Sequence, residues 1–542
     1  MSSQRLADTY SIANAFAKIG SNFLQIQSKN TEWFYKTSNW RWSVKYQKPS
    51  PQAQDIRLPM TTLDSKVIID EPNTYKASII ETQEHSNKEN TLKKSKIPTS
   101  RVSRFFHYGG LAIGLGAGAM SEAVRRATGI SKTKGGSVLM SEANIERLVN
   151  KLSRMRGAAL KLGQMISIQD NDMLPVQLEK VLLRVQNSAN YMPNWQMEKV
   201  MAKELGLNWR DNFKTFDPIP MAAASIGQVH NAQLSKPPYL PVAIKVQYPG
   251  VAASIDSDLN NLRTLVIMSN LLPKGLYLDN TIKVARRELA WETDYVREAT
   301  CMEKFGELLK DDKDFVVPKV MKEYSTKMVL TSEKMMGEPL TYAVYYSQEL
   351  RNKIGENILK LSLRELAEFQ FMQTDPNWTN FLYNTKTRKI ELVDFGASRG
   401  FDSKFINLYL QILKSAAKGD REGCLFYSEQ IGYLTGYETE VMRNAHIDSI
   451  LTLGEPFSEV MYDFSKQTIT KRVKDLIPTM LKYRLTPPPD ETYSLHRKLS
   501  GAFLLCAKLG AKVRCKEIIQ TFNLKKQNHL FNFHFQNSNG KF

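Results

Sequence analysis

The chain opens with hydrophobic residues at helical spacing. Ile12, Phe16, Ile19 and Phe23 predict an amphipathic helix, because residues three and four apart share one helix face. Basic residues outnumber acidic ones in this stretch. An acid-poor amphipathic helix near an N-terminus is typical of a mitochondrial targeting segment. We assign residues 1–50 to such a segment, with a disordered tail as the alternative.

Residues 51–104 show neither helical nor strand periodicity. The stretch is polar and basic and ends NKENTLKKSKIPTSRVSR, a composition that predicts a disordered linker. Residues 526–542 are assigned to a C-terminal tail.

An uncharged stretch follows the linker, with glycine at every fourth position. In a predicted helix over residues 105–130, Gly110, Gly114 and Gly118 share one face, a spacing that lets helices approach closely in a membrane. The uncharged part is shorter than the roughly 20 residues that span a bilayer. We expect a membrane-associating helix that inserts partly or crosses, and the glycines offer a homodimer contact.

A helical module is predicted over residues 135–210. Its first helix follows Ser141, a residue suited to cap a helix, and its second follows Pro175. Each helix has an apolar stripe, formed by Ile145, Leu148, Val149 and Leu152 in the first and by Leu178, Val181, Leu182 and Val185 in the second.

Strand patterns begin only near Phe216. The segment PVAIKVQYP places Val242, Ile244 and Val246 on one face of a strand and Lys245 on the other. A second short strand, KIELVDFG, and the loop TPPPD interrupt helices that dominate from residue 340 onwards. Strands between long helical stretches predict an α+β fold.

The charge balance narrows the class of partner. The 542 residues include 74 Lys and Arg against 55 Asp and Glu, a net charge of +19 that suits nucleic acid, an anionic membrane or a nucleotide polyphosphate. Neither an interleaving of aromatic and basic residues nor zinc-finger spacing is present, so we expect no nucleic-acid partner. The four cysteines form no CxxC pair, which favours a reducing compartment.

Four features occur in the order that a kinase-like phosphotransferase requires. The loop AAASIGQVH precedes a strand with a lone lysine, VAIK; then come the acidic helix RRELAWETDYVREA and the segments QTDPNWTNFLYN and LVDFGASRG. In kinases a lysine on a strand binds the nucleotide phosphates, and a glutamate on a helix forms an ion pair with that lysine. Asp and Asn residues orient the nucleophile and coordinate the metal ion. Taken singly, each residue has an ordinary alternative, such as a solvated lysine or a turn-forming aspartate. Their joint order favours the phosphotransferase.

The motifs KLGQ, ETD, QTDPNWTNF and DFGASR, with the alanine-rich loop, resemble the UbiB (ADCK) family of atypical kinases over residues 97–520. The resemblance implies a protein-kinase-like bilobal fold with an N-terminal helical KxGQ extension over residues 135–210. The N-lobe would cover 211–336 and the C-lobe 337–525.

The resemblance also implies cofactors, partners and a place in the cell. ATP or ADP and magnesium would serve an ATPase or small-molecule kinase required for coenzyme Q biosynthesis. The partners would be inner mitochondrial membrane lipids at the matrix face, the coenzyme Q biosynthetic enzyme complex, and a lipid or quinone intermediate.

The resemblance assigns roles position by position. Lys245 would hold the nucleotide with Glu298 as its partner, Asp375 would be catalytic, and Asn380 and Asp394 would bind magnesium. The other positions form three groups: the nucleotide loop Ala222, Ala223, Ala224 and Ser225; the adenine hinge from Glu333 to Met335; and a gating set of Lys161, Gly163, Gln164, Glu292 and Asp294.

Two departures from ordinary protein kinases argue against a peptide substrate. Gln373 and Thr374 replace the catalytic-loop His and Arg, and no APE motif follows the DFG. Alanine in the phosphate loop is stiffer than glycine and adds a methyl group where the backbone would approach phosphate. We expect this loop to disfavour ordinary kinase turnover and to set the nucleotide preference.

Helix geometry separates the acidic residues of the ETD segment. In one continuous helix Asp294 and Glu298 would lie about 40° apart, and Glu292 about 240° from Glu298. Glu298 would then face Lys245, and Glu292 would face Lys161 in the extension. This would place KLGQ over the cleft.

A different class of function is also compatible with the sequence. A pseudokinase scaffold would bind nucleotide and organise a biosynthetic complex without chemistry. The complete set of nucleotide, metal and nucleophile residues favours the enzyme, since a scaffold needs no such set.

Overall fold

The computed structural model describes residues 93–94, 101–128, 141–155, 157, 161, 190–269 and 278–520. The targeting segment assigned to residues 1–50, most of the linker, and the tail at 526–542 lie outside these residues. So do Gly163, Gln164 and the helix predicted after Pro175.

Among the described residues, the N-terminal part contributes the helices α1 (Arg101–Ala127), α2 (Glu142–Met155) and α3 (Asn194–Leu205), and a two-residue strand pair, β1 (Lys93–Lys94) with β2 (Asn190–Tyr191). The linker prediction is therefore wrong at its end, where β1 and the first turn of α1 lie. Pro98 is the last helix-breaking residue before α1, so nothing prevents the helix from starting ahead of the apolar stretch.

The small-residue face of α1 packs against α2 of the same chain. A Cβ on Gly118 would overlap the side chains of Asn144 and Arg147, and Asn144 Nδ2 donates a hydrogen bond of 3.1 Å to the carbonyl of Leu115. A Cβ on Gly110 would meet nothing within 4 Å. The expected homodimer through all three glycines is corrected accordingly, because the chain's own helix covers Gly118.

None of the helices in the described ranges combines the length and the apolar character needed to cross a membrane.

An antiparallel sheet forms the small lobe, in the order β3-β5-β6-β8 with β4 beside β5. Its strands are β3 (Phe213–Phe216), β4 (Ala222–Ala223), β5 (Gly227–Leu234), β6 (Pro241–Gln247) and, after β7 (Phe315–Val316), β8 (Val329–Glu333). Val242, Ile244 and Val246 are fully buried, and Lys245 lies on the opposite face of β6, as the alternation predicts.

The described residues between β6 and β7 form the helices α4 (Val251–Ser269), α5 (Leu278–Glu292) and α6 (Tyr295–Leu308). The continuous helix assumed for the ETD segment is wrong. Glu292 ends α5, and the Asp294 carboxylate caps α6 by accepting a hydrogen bond of 3.0 Å from the Arg297 amide. An Asp side chain at this position satisfies a free amide of the next helix, which favours a break.

The large lobe is mainly helical. Its helices are α7 (Gln348–Ala367), α8 (Ser403–Lys418), α9 (Arg421–Ile431), α10 (Glu440–Gly454), α11 (Ile469–Tyr483) and α12 (Asp490–Lys508). Its strands are β9 (Glu338–Pro339), β10 (Phe371–Gln373), β11 (Phe381–Asn384), β12 (Lys389–Leu392), β13 (Ser398–Gly400), β14 (Tyr462–Asp463) and β15 (Lys512–Val513). The mixture of sheets and helices confirms the α+β prediction.

Candidate active site

Lys245 stands at the centre of the cleft between two carboxylates. Its Nζ lies 2.7 Å from Glu298 Oε1 on α6 and 3.3 Å from Asp394 Oδ2, which follows β12. Burial raises the pKa of Glu298 to about 7 although Lys245 opposes the rise. Burial acts in the same direction on Asp394, but the charge of Lys245 and the hydrogen bonds that Asp394 makes, among them one from the Gly396 amide, together outweigh it and lower the pKa of Asp394. Three predicted residues therefore meet at one point.

An aromatic column fixes α6 against the segment that carries Asp394. The ring of Phe305 lies 5.2 Å from Phe395 of the DFG motif and 5.3 Å from Phe371 of β10. The Arg297 guanidinium donates to the carbonyl oxygens of Gly396 and Ser398. Because these contacts hold both sides of the cleft, Glu298 and Asp394 reach Lys245 without rearrangement.

Asp375 and Asn380 form a second polar group next to Asp394. Asp375 Oδ1 accepts from the Asn377 amide at 3.2 Å, and Asp375 Oδ2 accepts from Asn380 Nδ2 at 3.2 Å. The Val393 amide donates to the Asn380 carbonyl at 3.1 Å, which places Asn380 beside the residue preceding Asp394. Thus the segments carrying the predicted catalytic and metal residues are neighbours.

The oxygen atoms of Asn380 and Asp394 suit magnesium, which prefers carboxylate, amide and phosphate oxygens. In the described part of the chain, no three His, Cys, Asp or Glu side chains converge as a metal cage. Two protein oxygens with phosphates and water completing the shell are the ordinary arrangement at a nucleotide site, so the residues fit a magnesium–nucleotide complex.

The alanine-rich loop is short and firmly paired. Ala222 and Ala223 form β4 and face Val229 and Gln228 of β5. The loop's single glycine is required, since a Cβ on Gly227 would lie 2.5 Å from the Tyr295 hydroxyl. Backbone pairing, as well as the alanine methyl groups, therefore limits the loop's freedom.

The same loop is tied to the extension. The Gly157 amide donates to the Ser225 carbonyl at 3.0 Å, and Ser225 Oγ donates to Glu292 Oε2 at 3.3 Å. Ala224, between β4 and this contact, donates its amide to the Gly227 carbonyl at 2.8 Å. Ser225 is thus the point where nucleotide loop and extension meet.

The predicted adenine hinge begins at Glu333, the last residue of β8. The Glu333 amide donates to the Lys319 carbonyl at 2.8 Å, and the Lys334 amide donates to the Pro241 carbonyl at 3.1 Å. Met335, half-buried, comes next along the segment. These contacts anchor the segment at the end of the sheet, and its adenine-binding role stays a prediction.

Lys161 of the extension forms the expected ion pair with Glu292. It has a second partner, Glu288 Oε2, one turn earlier on α5 at 3.3 Å. Burial disfavours the charge of Lys161, yet Glu292 and Glu288 together outweigh it and raise the pKa of the amine. The negative charge of Asp375 also raises the pKa of the amine. Asp294, exposed as the cap of α6, has no part in this pair.

Two residues of α12 were not anticipated from the sequence. Arg497 donates to the Thr374 carbonyl at 3.2 Å and to Glu288 Oε1 at 2.7 Å. Lys498 donates to Gln373 Oε1 at 3.2 Å and pairs with Glu365 at 3.1 Å. Arg497 thus holds the backbone, and Lys498 the Gln373 side chain, just before Asp375, where Gln373 and Thr374 replace the usual His and Arg. The sequence does contain one indication of this role. Two adjacent cations within a hydrophobic helix imply that each has a buried partner.

Comparisons with known proteins agree with this geometry. The family model described as ABC1 atypical kinase-like domain matches residues 184–428. The mitochondrial atypical kinase COQ8 of Saccharomyces cerevisiae is 53% identical over 444 residues, covering 81% of this chain and 88% of the yeast protein. The protein of the same name from Schizosaccharomyces pombe is 54% identical over 448 residues, covering 82% and 73%.

Similarity extends to an animal protein and to a solved structure. The mitochondrial atypical kinase COQ8B of Danio rerio is 48% identical over 441 residues, 80% of this chain and 70% of its own. A structure of Rv3197 with erythromycin from Mycobacterium tuberculosis is 24% identical, covers 69% of this chain and 94% of its own, and has a TM-score of 0.48. The length and the sequence identity of the COQ8 matches show that this chain belongs to the ABC1 atypical kinase family, as the motifs indicated.

Proposed function

We propose that this protein is a magnesium-dependent ATPase or small-molecule kinase required for coenzyme Q biosynthesis in mitochondria, at the matrix face of the inner membrane. The observation that carries the proposal is the position of Lys245 between Glu298 and Asp394. Each of the three has the side-chain type and the place that nucleotide phosphates and magnesium require.

Different residues of the chain have different roles in the reaction. Lys245, held by Glu298, neutralises nucleotide phosphates, and Asn380 and Asp394 hold the metal ion, which spreads the charge of the phosphoryl group when bound. Asp375 accepts a hydrogen bond from the attacking hydroxyl or water and takes its proton. Arg497, through the Thr374 carbonyl, and Lys498, through the Gln373 side chain, support the segment that leads into Asp375.

A small acceptor or water fits the cleft better than a peptide. Helix α8 begins at Ser403, directly after β13, which leaves no long segment to form a peptide platform. Lys161 reaches Glu292 beside the nucleotide loop. This part of the extension would obstruct the surface on which a protein kinase binds its peptide substrate. We therefore propose a lipid or quinone intermediate as the acceptor when transfer takes place.

An exposed apolar stripe on α1 supports a peripheral membrane role. Ile113, Met120 and Val124 are 74%, 62% and 62% exposed and share a helix face, whereas Leu111 and Ala119 are buried. A basic residue, Arg125, follows at the helix end. Such a face can rest in the headgroup region of an anionic membrane.

Phosphate release by the purified protein with liposomes tests the enzyme against the scaffold. We expect release from ATP with magnesium, lost in Asp394→Asn and kept in the matched control Asp448→Asn, whose carboxylate pairs with Arg421 on the surface. Nucleotide binding without release above background would instead support the pseudokinase scaffold.

A further inference from the structure

The segment that follows Asp394, the proposed magnesium ligand, is short and is held by strand pairing. Residues 395–402 connect Asp394 to α8, and β13 within them pairs antiparallel with β10. The Thr374 hydroxyl, next to Asp375, donates to the Ala397 carbonyl at 2.7 Å. Because β10 leads into the catalytic loop, contacts that hold β13 also hold the segments that carry Asp375 and Asp394.

The N-terminal turn of α12 contacts β13 through the side chain of Arg399. Arg399 Nη2 lies 3.3 Å from Glu491 Oε1, and Arg399 Nη1 donates to Ser494 Oγ at 3.3 Å. The Arg399 side chain is 10% exposed and that of Glu491 is 30% exposed. The pair therefore lies partly out of solvent, where a charge-assisted hydrogen bond is stronger than on an open surface.

The position of Arg399 requires a negative partner, because other arginines lie close to it. Three guanidinium groups lie near the ring of Trp291, with Cζ atoms 5.4, 4.7 and 5.8 Å from the ring centroid in Arg287, Arg297 and Arg399. Arg287 pairs with Asp490 at 3.2 Å. Burial lowers the pKa of Arg399, and the charge of Arg287 acts in the same direction, whereas Glu491 opposes the shift. The Glu491 carboxylate therefore offsets the repulsion that Arg399 meets at this ring.

The segment after Asp394 has no accessible hydroxyl group that could carry a regulatory phosphate. Among residues 395–402 the one hydroxyl side chain is that of Ser398, which is fully buried in β13. Many protein kinases order the corresponding segment by phosphorylation, since the phosphate pairs with arginines. In this chain a carboxylate of α12 pairs with an arginine of that segment without any modification.

From these contacts we propose that Glu491 is a positioning residue for magnesium binding. Through Arg399 it holds β13, and with it Asp394, as a phosphate on the activation segment does in protein kinases. The inference rests on the proposed function, because it concerns the metal site of the same cleft. Arg497 and Lys498 contact the segment before the catalytic aspartate from further along α12, so this helix supports both segments of the cleft.

Amide hydrogen exchange of the full-length protein tests the contact without any ligand. Glu491→Gln keeps the size of the side chain and removes its charge, and we expect exchange at residues 395–400 to quicken by about fivefold. The control Glu356→Gln removes a carboxylate of similar exposure, 28%, that pairs with Arg514 at 3.1 Å, and it should leave these residues unchanged. Exchange at the parent's rate in Glu491→Gln would overturn the proposal.

The magnesium dependence of ATP binding tests the consequence for the metal site. Glu491→Gln and Arg399→Met should each raise the magnesium concentration for half-maximal ATP binding about fivefold, and the double variant should add little, since the two side chains form one contact. Glu491→Asp, which keeps the charge, should recover part of the affinity. Faster exchange with the parent's magnesium dependence would mean that Glu491 is only structural, and it would overturn the proposal.

Two further measurements separate this inference from the proposed function. Phosphatase treatment of the parent should leave magnesium–ATP binding unchanged, and a loss of binding would show that a phosphate orders the segment, which would overturn the proposal. A parent that binds magnesium–ATP without releasing phosphate would contradict the proposed enzyme. The titration would still decide whether Glu491 and Arg399 position the magnesium ligand.

Discussion

Lys161 and Glu292 form an ion pair in which the two side chains are only 3% and 13% exposed. The pair joins the extension to α5, and α5 leads directly into α6, which carries Glu298. Glu292 also accepts from Ser225 in the nucleotide loop, at 3.3 Å. One buried contact thus connects the extension, the alanine loop and the helix that positions the nucleotide lysine.

Replacing Asp375 by Asn and replacing Asp394 by Asn should affect turnover and nucleotide binding differently. Asp375→Asn should lower turnover by about 100-fold or more, with nucleotide affinity nearly intact, because Asp375 serves the nucleophile. Asp394→Asn should weaken magnesium–nucleotide binding as well. Turnover assays with nucleotide titration separate the two effects, and equal loss of nucleotide affinity in both variants would refute this division of roles.

Arg497 should act as a positioning residue for the catalytic loop. Without the guanidinium the Thr374 carbonyl loses its donor and Asp375 its support, so Arg497→Met should lower kcat about tenfold while the KM for ATP changes less than about twofold. Arg497→Lys should restore part of kcat. The control Arg514→Met removes an exposed arginine that pairs with Glu356. A purely structural role would predict lower thermal stability with kcat per folded molecule unchanged.

The apolar stripe of α1 should carry membrane binding. Glutamate at Ile113, Met120 and Val124 together should reduce flotation with anionic liposomes by about tenfold or more, since three carboxylates must enter the headgroup region. Leu207→Glu is the control, because Leu207 is 89% exposed in another part of the chain. If the triple variant floats like the parent, α1 is not the membrane contact.

His446 should make stability depend on pH. In the folded protein burial lowers the pKa of its imidazole to about 3, whereas the unfolded chain takes up the proton near pH 6.5. The contribution of His446 to the free energy of unfolding is therefore complete well above pH 6.5. It is lost as pH falls toward 3, by at most about 1.4 kcal/mol per pH unit.

Denaturant titration can measure this contribution against His446→Gln, which does not titrate. Between pH 6.5 and 5.5 the parent should lose about 1 kcal/mol more of its free energy of unfolding than the variant. Equal losses would mean that His446 is accessible to protons in the folded state.

The strand patterns and the order of motifs were sufficient to predict the α+β fold and the pairing of Lys245 with Glu298. Alternation along β6 gave the direction of Lys245, since side chains in a strand point to opposite faces. The pairing of Lys161 with Glu292 was predicted from a continuous helix that does not exist. It holds because the break at Asp294 turns the chain while leaving Glu292 at the end of α5.

Other features depend on contacts between distant segments and leave weak signals in the sequence. Arg497 meets Thr374 across 123 positions of the chain, and only tertiary packing brings them together. Gly118 fits its predicted role of close helix approach, but sequence spacing cannot tell whether the partner is another chain or α2.

The Lys161–Glu292 pair also bears on gating, because it holds the extension beside the nucleotide loop. Lys161→Met leaves two buried carboxylates, Glu288 and Glu292, without this cation, which costs on the order of 3 kcal/mol. Amide exchange at Gly157, whose N–H bonds to Ser225, should then quicken by roughly 100-fold. Lys203→Met, which removes an exposed lysine of α3, is the matched control.

Hydrogen exchange of the parent, Lys161→Met, Glu292→Gln and the double variant is the most direct measurement of this gate. We expect faster exchange at Gly157 and across residues 222–226 in both single variants, and a double variant that adds little to Lys161→Met, since the two side chains form one contact. Self-phosphorylation absent in the parent should appear with the loosening. Exchange at the parent's rate in all three variants would contradict the gate and leave the alanine loop alone to account for any lack of ordinary kinase activity.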